Sequence, residues 1–155
     1  MDILTGLHAG LGEMGALAFL WVFVELLNAS EASLRRARTA ALWGTLLFVG
    51  SWIAGGYNYL NHYGEFVKPL IKSGPLPWGH TIITEVKEHV FLFLPFLATI
   101  EFALLNKYKN QILADVNLKK AAQYIAFLTV LLSLSMVGMG VLISGSFRAA
   151  LEALI

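Results

Sequence analysis

Imidazole and carboxylate side chains are the groups in this sequence that could hold a cofactor or a metal ion. The sequence has four histidines and no cysteine, so any iron or other metal would have to be held by His, Glu, Asp or Met. Three glutamates accompany the histidines. The seven side chains are His8, Glu13, His62, His80, Glu85, Glu88 and His89. They lie in or beside long apolar stretches, where ionisable groups are costly and mark function by default.

Four apolar stretches are the elements that must position these side chains. They cover residues 4–27, 40–59, 80–105 and 121–146, and each is near the ~20 residues that a helix needs to cross a bilayer. The composition is 57% hydrophobic and 14% charged, which is far from that of a soluble domain. The sequence therefore predicts an all-α integral membrane protein. Residues 1–155 form a single domain, a four-transmembrane-helix bundle, and Asp2 is the expected N-cap of the first helix.

The basic residues set the expected orientation. Three arginines lie in the connection 29–39 and four lysines in the connection 106–120. The positive-inside rule places both connections in the cytoplasm. Both termini, the connection 60–85 and all four histidines then belong to the non-cytoplasmic side. We expect a protein of the bacterial or archaeal cytoplasmic (inner) membrane that contacts the lipid bilayer. No basic stripe suggests a nucleic-acid partner.

Several local features refine this expectation. The connection 60–85 is rich in Pro and Gly, which predicts an ordered outer loop with a short interfacial helix around residues 66–72. Pro95 should kink the third helix. Glu25 and Glu101 lie nearer the cytoplasmic side, where they could pair with Arg35 or belong to a proton route. The sequence leaves those two options open.

Helical geometry favours His8 and His89 as a pair of haem ligands. His8 shares a face of the first helix with Gly12 and Gly15, and Gly55 shares a face of the second helix with His62. Small residues beside a histidine leave room for a flat macrocycle. Counted at ~1.5 Å per residue from the predicted outer boundaries, His8 lies ~6 Å and His89 ~5 Å inside. Two axial ligands of one haem should lie at similar depth.

The remaining polar groups have more than one interpretation. His62 lies near the boundary and could replace either ligand or serve a second site. His80 lies farther out and is expected in a loop or at a helix start. Glu85 precedes His89 by four residues, so the two could hold one ion together. Lys87 could pair with Glu13 or Glu88, or reach a haem propionate.

Two segments resemble a known group of membrane proteins. Residues 4–12 read Leu-Thr-Gly-Leu-His-Ala-Gly-Leu-Gly, and Trp78-Gly79-His80 leads to Lys87 and an apolar run. Both resemble segments of the copper-resistance D-type family and the related oxygen-independent protoporphyrinogen oxidases, over about two of the four helices. The resemblance implies haem binding, with His8 at the family's first-helix histidine and Lys87 at its lysine. The cluster of Glu85, Glu88 and His89 departs from the family pattern, as does the Pro-rich loop.

The expected function is that of a small membrane-bound b-type cytochrome. Haem b, ligated near the outer face, would transfer electrons between a quinone or an outer redox partner and other membrane or periplasmic subunits. We expect an oligomer or a subunit of a larger complex. One alternative is an enzyme or carrier with a copper, zinc or iron site made from His8, His62, His89 and Glu85. The other alternative is a structural subunit without redox chemistry.

Overall fold

Helices account for the regular structure of the computed structural model, which describes residues 3–155 and has no strand in that part of the chain. Four continuous helical stretches are long and apolar enough to cross a membrane. They are α1 (Ile3–Leu27), α2 (Glu31–Ser73), α3 (Gly79–Lys107) and α4 (Val116–Glu152). The prediction of four membrane-length helices is confirmed. The predicted N-cap, Asp2, lies outside the described residues.

A tight turn joins α1 and α2 into an antiparallel hairpin. Ser30 begins α2 with a capping box: its hydroxyl accepts from the Ser33 amide at 3.2 Å, and the Ser33 hydroxyl accepts from the Ser30 amide at 2.7 Å. These bonds satisfy amides that a helix start leaves free. Across the turn, Arg36 donates two hydrogen bonds to the Glu25 carboxylate, at 2.6 and 2.7 Å. Glu25 therefore pairs with Arg36 and not with Arg35.

The four helices form a bundle in which α1 packs against α2 and α4, and α3 packs against the same two helices. Its apolar core takes residues from every helix. They include Phe19, Val22 and Leu26 of α1, Ala41 and Phe48 of α2, Leu94, Ala98 and Leu105 of α3, and Ala122, Ala126 and Met136 of α4. Burying these side chains on one stripe of each helix is the packing expected of an antiparallel bundle.

The second helix is much longer than predicted, because the region 60–85 is helical over most of its length. Tyr59–Val67 continues α2 as a π-helix, and Lys68–Ser73 then returns to α-helical geometry. Pro69 lies in the first turn of that α-helical segment, where a missing N–H is tolerated. The predicted helix around residues 66–72 and the turn after it are present, but the predicted loop before that helix is wrong, because residues 59–67 are helical and join it to α2. With 43 residues, α2 is about 64 Å long and extends well beyond a ~30 Å hydrocarbon layer.

The other two long helices also depart in part from expectation. α-Helical geometry in α3 is interrupted at Leu92, between the segments Glu85–Phe91 and Phe93–Lys107. This position lies just before Pro95, whose ring crowds the carbonyl four residues earlier; the predicted kink there stays a prediction. α4 runs from Val116 to Glu152 instead of from 121 to 146. Asp115 caps its start by accepting from the amides of residues 117 and 118.

Candidate functional site at the histidine end

The two ends of the bundle differ in packing and in chemistry. We call the end that carries the connections 28–30 and 108–115 the basic end, and the opposite end, where α1 begins and α4 ends, the histidine end. The apolar core lies mainly toward the basic end. Toward the histidine end, the segment Glu85–Phe91 of α3 contributes no buried residue, and α4 contributes none between Met136 and Ser146. The buried residues at this end include three polar ones, His80, Thr84 and Ser146.

His8 is held at this end by contacts from two other helices. Its ring nitrogen Nδ1 lies 2.9 Å from the Ser51 carbonyl oxygen, which can only accept, so Nδ1 carries the proton and donates. The Ser51 hydroxyl donates to the His8 carbonyl at 2.8 Å. The Phe91 ring meets the imidazole edge to face, with centroids 5.4 Å apart. In the described part of the chain, His8 Nε2 has no hydrogen-bond partner.

His89 has the same arrangement of its ring nitrogens. Its Nδ1 donates to the Glu85 carbonyl one turn earlier at 2.6 Å, and its Nε2 makes no hydrogen bond to residues 3–155. Histidines that ligate metals almost always donate their other ring N–H to a carbonyl or a carboxylate, because this fixes the tautomer and the ring orientation. Both histidines are therefore prepared to ligate through Nε2.

The structure does not bring His8 and His89 together. Phe91 packs on His8, and His89 precedes Phe91 by two residues, which places it about 200° away around the helix. His89 accordingly lies on the exposed side of α3. The two histidines point in different directions around the bundle. One haem cannot lie between them within a single chain.

The four predicted metal ligands are also apart. The His62 ring packs on Phe66 of its own helix, with centroids 5.5 Å apart. Glu85 faces His80 and not His89: its Oε1 lies 3.6 Å from His80 Nε2. Within residues 3–155, no three His, Asp or Glu side chains come together in a way that could hold a metal ion.

The glycines predicted to leave a slot for a macrocycle instead receive side chains from the neighbouring helix. A Cβ built on Gly12 would lie 3.2 Å from the Ser51 hydroxyl, and one on Gly15 would lie 2.8 Å from the Phe48 ring. At Gly55, a Cβ would meet the His8 ring at 2.6 Å. These three glycines let α1 and α2 approach closely, as small residues do in membrane helix pairs.

Lys87 lies inside the histidine end without an ion-pair partner. A Cβ on Gly140 of α4 would lie 3.5 Å from the Lys87 ammonium, so the lysine crosses toward α4. Among residues 3–155, Lys87 forms no salt bridge with Glu13 or Glu88. The predicted pairing with either glutamate is wrong.

His80, expected in a loop or at a helix start, is the second residue of α3 and is only 3% exposed. Its partners are Tyr63 and Glu85. The sequence does contain the histidine, but nothing in it shows that residues 59–67 and 79–84 form π-helices. The π-helical geometry of these two segments brings the Tyr63 hydroxyl to His80.

Glu101 is a second group whose setting was not foreseen. It is 0% exposed, and neither carboxylate oxygen has a hydrogen-bond partner. It shares the core-facing stripe of α3 with Ala98 and Leu105. The helices packed against α3 supply no charge at this depth: residues 40–56 of α2 contain no ionisable group, and in residues 121–147 of α4 the only one is Tyr124, an exposed residue. Such a group is a candidate for function, because its burial costs free energy.

Replacing Glu101 by leucine should stabilise the bundle. A buried polar group without a partner costs roughly 1–3 kcal/mol, and leucine has similar volume with no polar atoms. Denaturant titration of the purified variant in detergent would show the transition at higher denaturant concentration. Glu101→Gln is the matched control, since it keeps an unpaired polar group and should gain much less. A Leu variant less stable than the Gln variant would mean that the carboxyl group has a structural partner.

Comparison of this chain with protein-family models, with curated proteins and with solved structures finds no match. The support for a function is therefore the arrangement of the chain's own residues.

Proposed function

We propose that this chain is a small integral membrane b-type cytochrome whose haem binds at the histidine end with His8 as an axial ligand. The observation that carries the proposal is the state of the His8 ring. Its Nδ1 is held by the Ser51 carbonyl, and its Nε2 is left free. That nitrogen lies at the end of the bundle where the segment Glu85–Phe91 of α3 contributes no buried residue. A haem bound there would supply one-electron redox chemistry.

Other residues at this end suit the same group. The ring of His8 is backed by Gly55 and bordered by Phe91, so its orientation is set before any ligand arrives. Lys87 provides a cation for a propionate. Gly12 and Gly15 contribute only indirectly, through the close packing of α1 on α2. The role of the protein is thus to orient one imidazole, neutralise an acidic edge and exclude water.

His89 supports the expectation of an oligomer or a larger complex. Its free Nε2 lies on the exposed side of α3, together with exposed Val86, Phe93 and Phe96. A polar ligand on an apolar face is costly in lipid. We therefore assign His89 to a contact with a neighbouring subunit, where it would ligate or bond to a group shared between them. A quinone or another redox subunit would be the electron partner.

The proposal includes insertion in a membrane, with the basic end in the cytoplasm. Seven Lys and Arg residues lie within residues 29–39 and 106–120, at the basic end. The positive-inside rule favours the cytoplasm for that end. α1 begins and α4 ends on the opposite side. The histidine end, with its extended α2 and α4, would then face the outside of a cytoplasmic membrane.

The visible spectrum of the purified protein tests this function. The chain would be produced in cells supplied with a haem precursor, extracted in mild detergent and purified without added haem. A Soret band, α and β bands on reduction, and a stoichiometric pyridine haemochrome would support a b-type cytochrome. A colourless protein would refute it. If such a protein carried stoichiometric copper, zinc or iron, the metal-site alternative would replace it, and if it carried none, the structural alternative would.

A further inference from the structure

A chain of hydrogen bonds joins α2 and α3 at the histidine end, in the part formed by the two π-helical segments. The Tyr63 hydroxyl lies 2.8 Å from the Thr84 hydroxyl and 3.1 Å from His80 Nδ1. Thr84 in turn donates to the Gly79 carbonyl at 2.9 Å. The far ring nitrogen of His80, Nε2, lies 3.6 Å from a Glu85 carboxylate oxygen. The chain therefore ends at an imidazole facing a carboxylate.

The number of available protons determines which group donates in each of these hydrogen bonds. A carbonyl oxygen can only accept, so the Thr84 proton is used on Gly79. The Tyr63 hydroxyl must then donate its one proton to the Thr84 oxygen, and its own oxygen must accept from His80. His80 Nδ1 consequently carries a proton. A neutral His80 would then present the lone pair of Nε2 to the carboxylate, which is repulsive.

One more proton between His80 and Glu85 removes that repulsion. The Glu85 side chain is half-exposed. His80 is fixed at Nδ1 by its bond to Tyr63, so the lone pair of Nε2 is the position that can take the proton. We propose that His80 and Glu85 form an acid–base site that binds one exchangeable proton at the histidine end, as an imidazolium paired with a carboxylate. The site is separate from the His8 position and needs no haem.

The charges around His80 make Glu85 the group that determines proton binding. Burial of the ring disfavours a positive charge on His80, and Lys68 and Lys72, from the end of α2, oppose that charge as well. Tyr63 is the titratable neighbour on the π-helical part of α2. α4 packs here around Ser146, and its nearest charged residue, Arg148, is exposed. Only Glu85 therefore offsets an imidazolium charge, and its exposed carboxylate is the route by which the proton reaches water.

Proton exchange at this site should affect the packing of α2 on α3. In both protonation states, Tyr63 of α2 is joined to α3 by its bonds to His80 Nδ1 and Thr84. Loss of the Nε2 proton makes Nε2 and the Glu85 carboxylate repel each other, so the side chain of His80, which holds Tyr63, loses its second anchor within α3. The site would thus release or take up a proton as that contact changes.

Solution NMR of protein labelled with ¹⁵N on the histidine rings tests the proposal, with His80→Gln identifying the His80 signals. In the wild type, His80 should titrate between an imidazolium and a neutral ring protonated at Nδ1. In Glu85→Gln its proton affinity should fall at least about tenfold, which is ~1.4 kcal/mol in free energy. Glu65→Gln is the matched control. Glu65 is an exposed carboxylate on the π-helical segment of α2 that carries Tyr63, and its replacement should leave the titration of His80 almost unchanged.

Three results would overturn the proposal: equal titration of His80 in the wild type and in Glu85→Gln, an equal fall in Glu65→Gln, or a neutral ring protonated at Nε2 in the wild type. Tyr63→Phe provides a second readout. Without the tyrosine oxygen, His80 Nδ1 loses its acceptor, and the neutral ring should shift toward the tautomer protonated at Nε2. All these measurements work on haem-free protein, so a colourless protein would refute the cytochrome and leave this proposal to its own test.

Discussion

Replacing His8 by alanine should abolish the haem spectrum of the purified protein. His8 Nε2 has no hydrogen-bond partner among residues 3–155, and the His8 ring is fixed by Ser51, Gly55 and Phe91. Because loss of even an outer-shell partner costs 10–100-fold in metal affinity, loss of the ligand should lower the ratio of Soret to protein absorbance to about a tenth or less. Absorbance spectra and haem assays on matched preparations would measure the change.

Two comparisons separate ligand loss from misfolding. His62→Ala is the control, because the His62 ring packs on Phe66 and should be dispensable for the Soret band. In His8→Gly, the space over Gly55 is vacated, and added imidazole should enter it and restore part of the band. A folded, monodisperse His8→Ala protein with full haem content would show that His8 is not the ligand. Loss of haem in His62→Ala alone would transfer the role to His62.

Replacing Gly15 by leucine should destabilise the α1–α2 pair severely. A Cβ at Gly15 would lie 2.8 Å from the Phe48 ring, which is 1% exposed. Phe48 also stacks on Phe19 with centroids 5.6 Å apart, and Phe19 in turn covers Gly44. Each phenylalanine thus fills the space that a glycine of the opposite helix leaves, and neither ring can yield. Overpacking of a filled core costs roughly 1–3 kcal/mol, occasionally more.

Gly10 supplies the matched control on the same helix. A Cβ there meets no atom within 4 Å, so Gly10→Leu should unfold at nearly the wild-type denaturant concentration. Unfolding followed by circular dichroism in detergent would compare the two. Similar stability of both variants would contradict the packing role of Gly15. A Gly15→Leu protein that is stable but has lost its haem would favour the original expectation, in which that glycine borders the macrocycle.

The case of Gly15 shows how far a local pattern can lead. The glycine stripe beside His8 is visible in the sequence, and either a cofactor or another helix could use it. Helical periodicity places His8, Gly12 and Gly15 on one face, but it does not reveal what lies opposite. That depends on the register of α1 on α2, which is set by Phe19 and Phe48 together and by the short turn that Ser30 caps.

The case of residues 60–85 shows a different limit. Gly64, Pro69, Gly74 and Pro75 are turn residues by local rules, and they favoured a loop there. Gly74 and Pro75 do lie in the non-helical connection between α2 and α3, but Gly64 and Pro69 are helical. Around them, Gly74 packs against Ala150 of α4, Gly79 packs against Ser146, and Tyr63 bonds to His80 and Thr84. These contacts stabilise a helix with π turns that propensity alone would not predict.

The sequence by itself determined the four helices, their apolar character, the basic connections and the presence of histidines at one end. These properties depend on composition and on neighbours within a few helical turns. A run of apolar residues defines a membrane-length helix, and Lys and Arg between two such runs define a basic connection. Only the tertiary structure decided which groups meet. It separated His8 from His89 by their directions around the bundle, joined His80 to Tyr63 and Glu85, and enclosed Glu101 without a partner. Those outcomes depend on the rotation and register of whole helices, which are set by packing across the bundle and not by any local pattern.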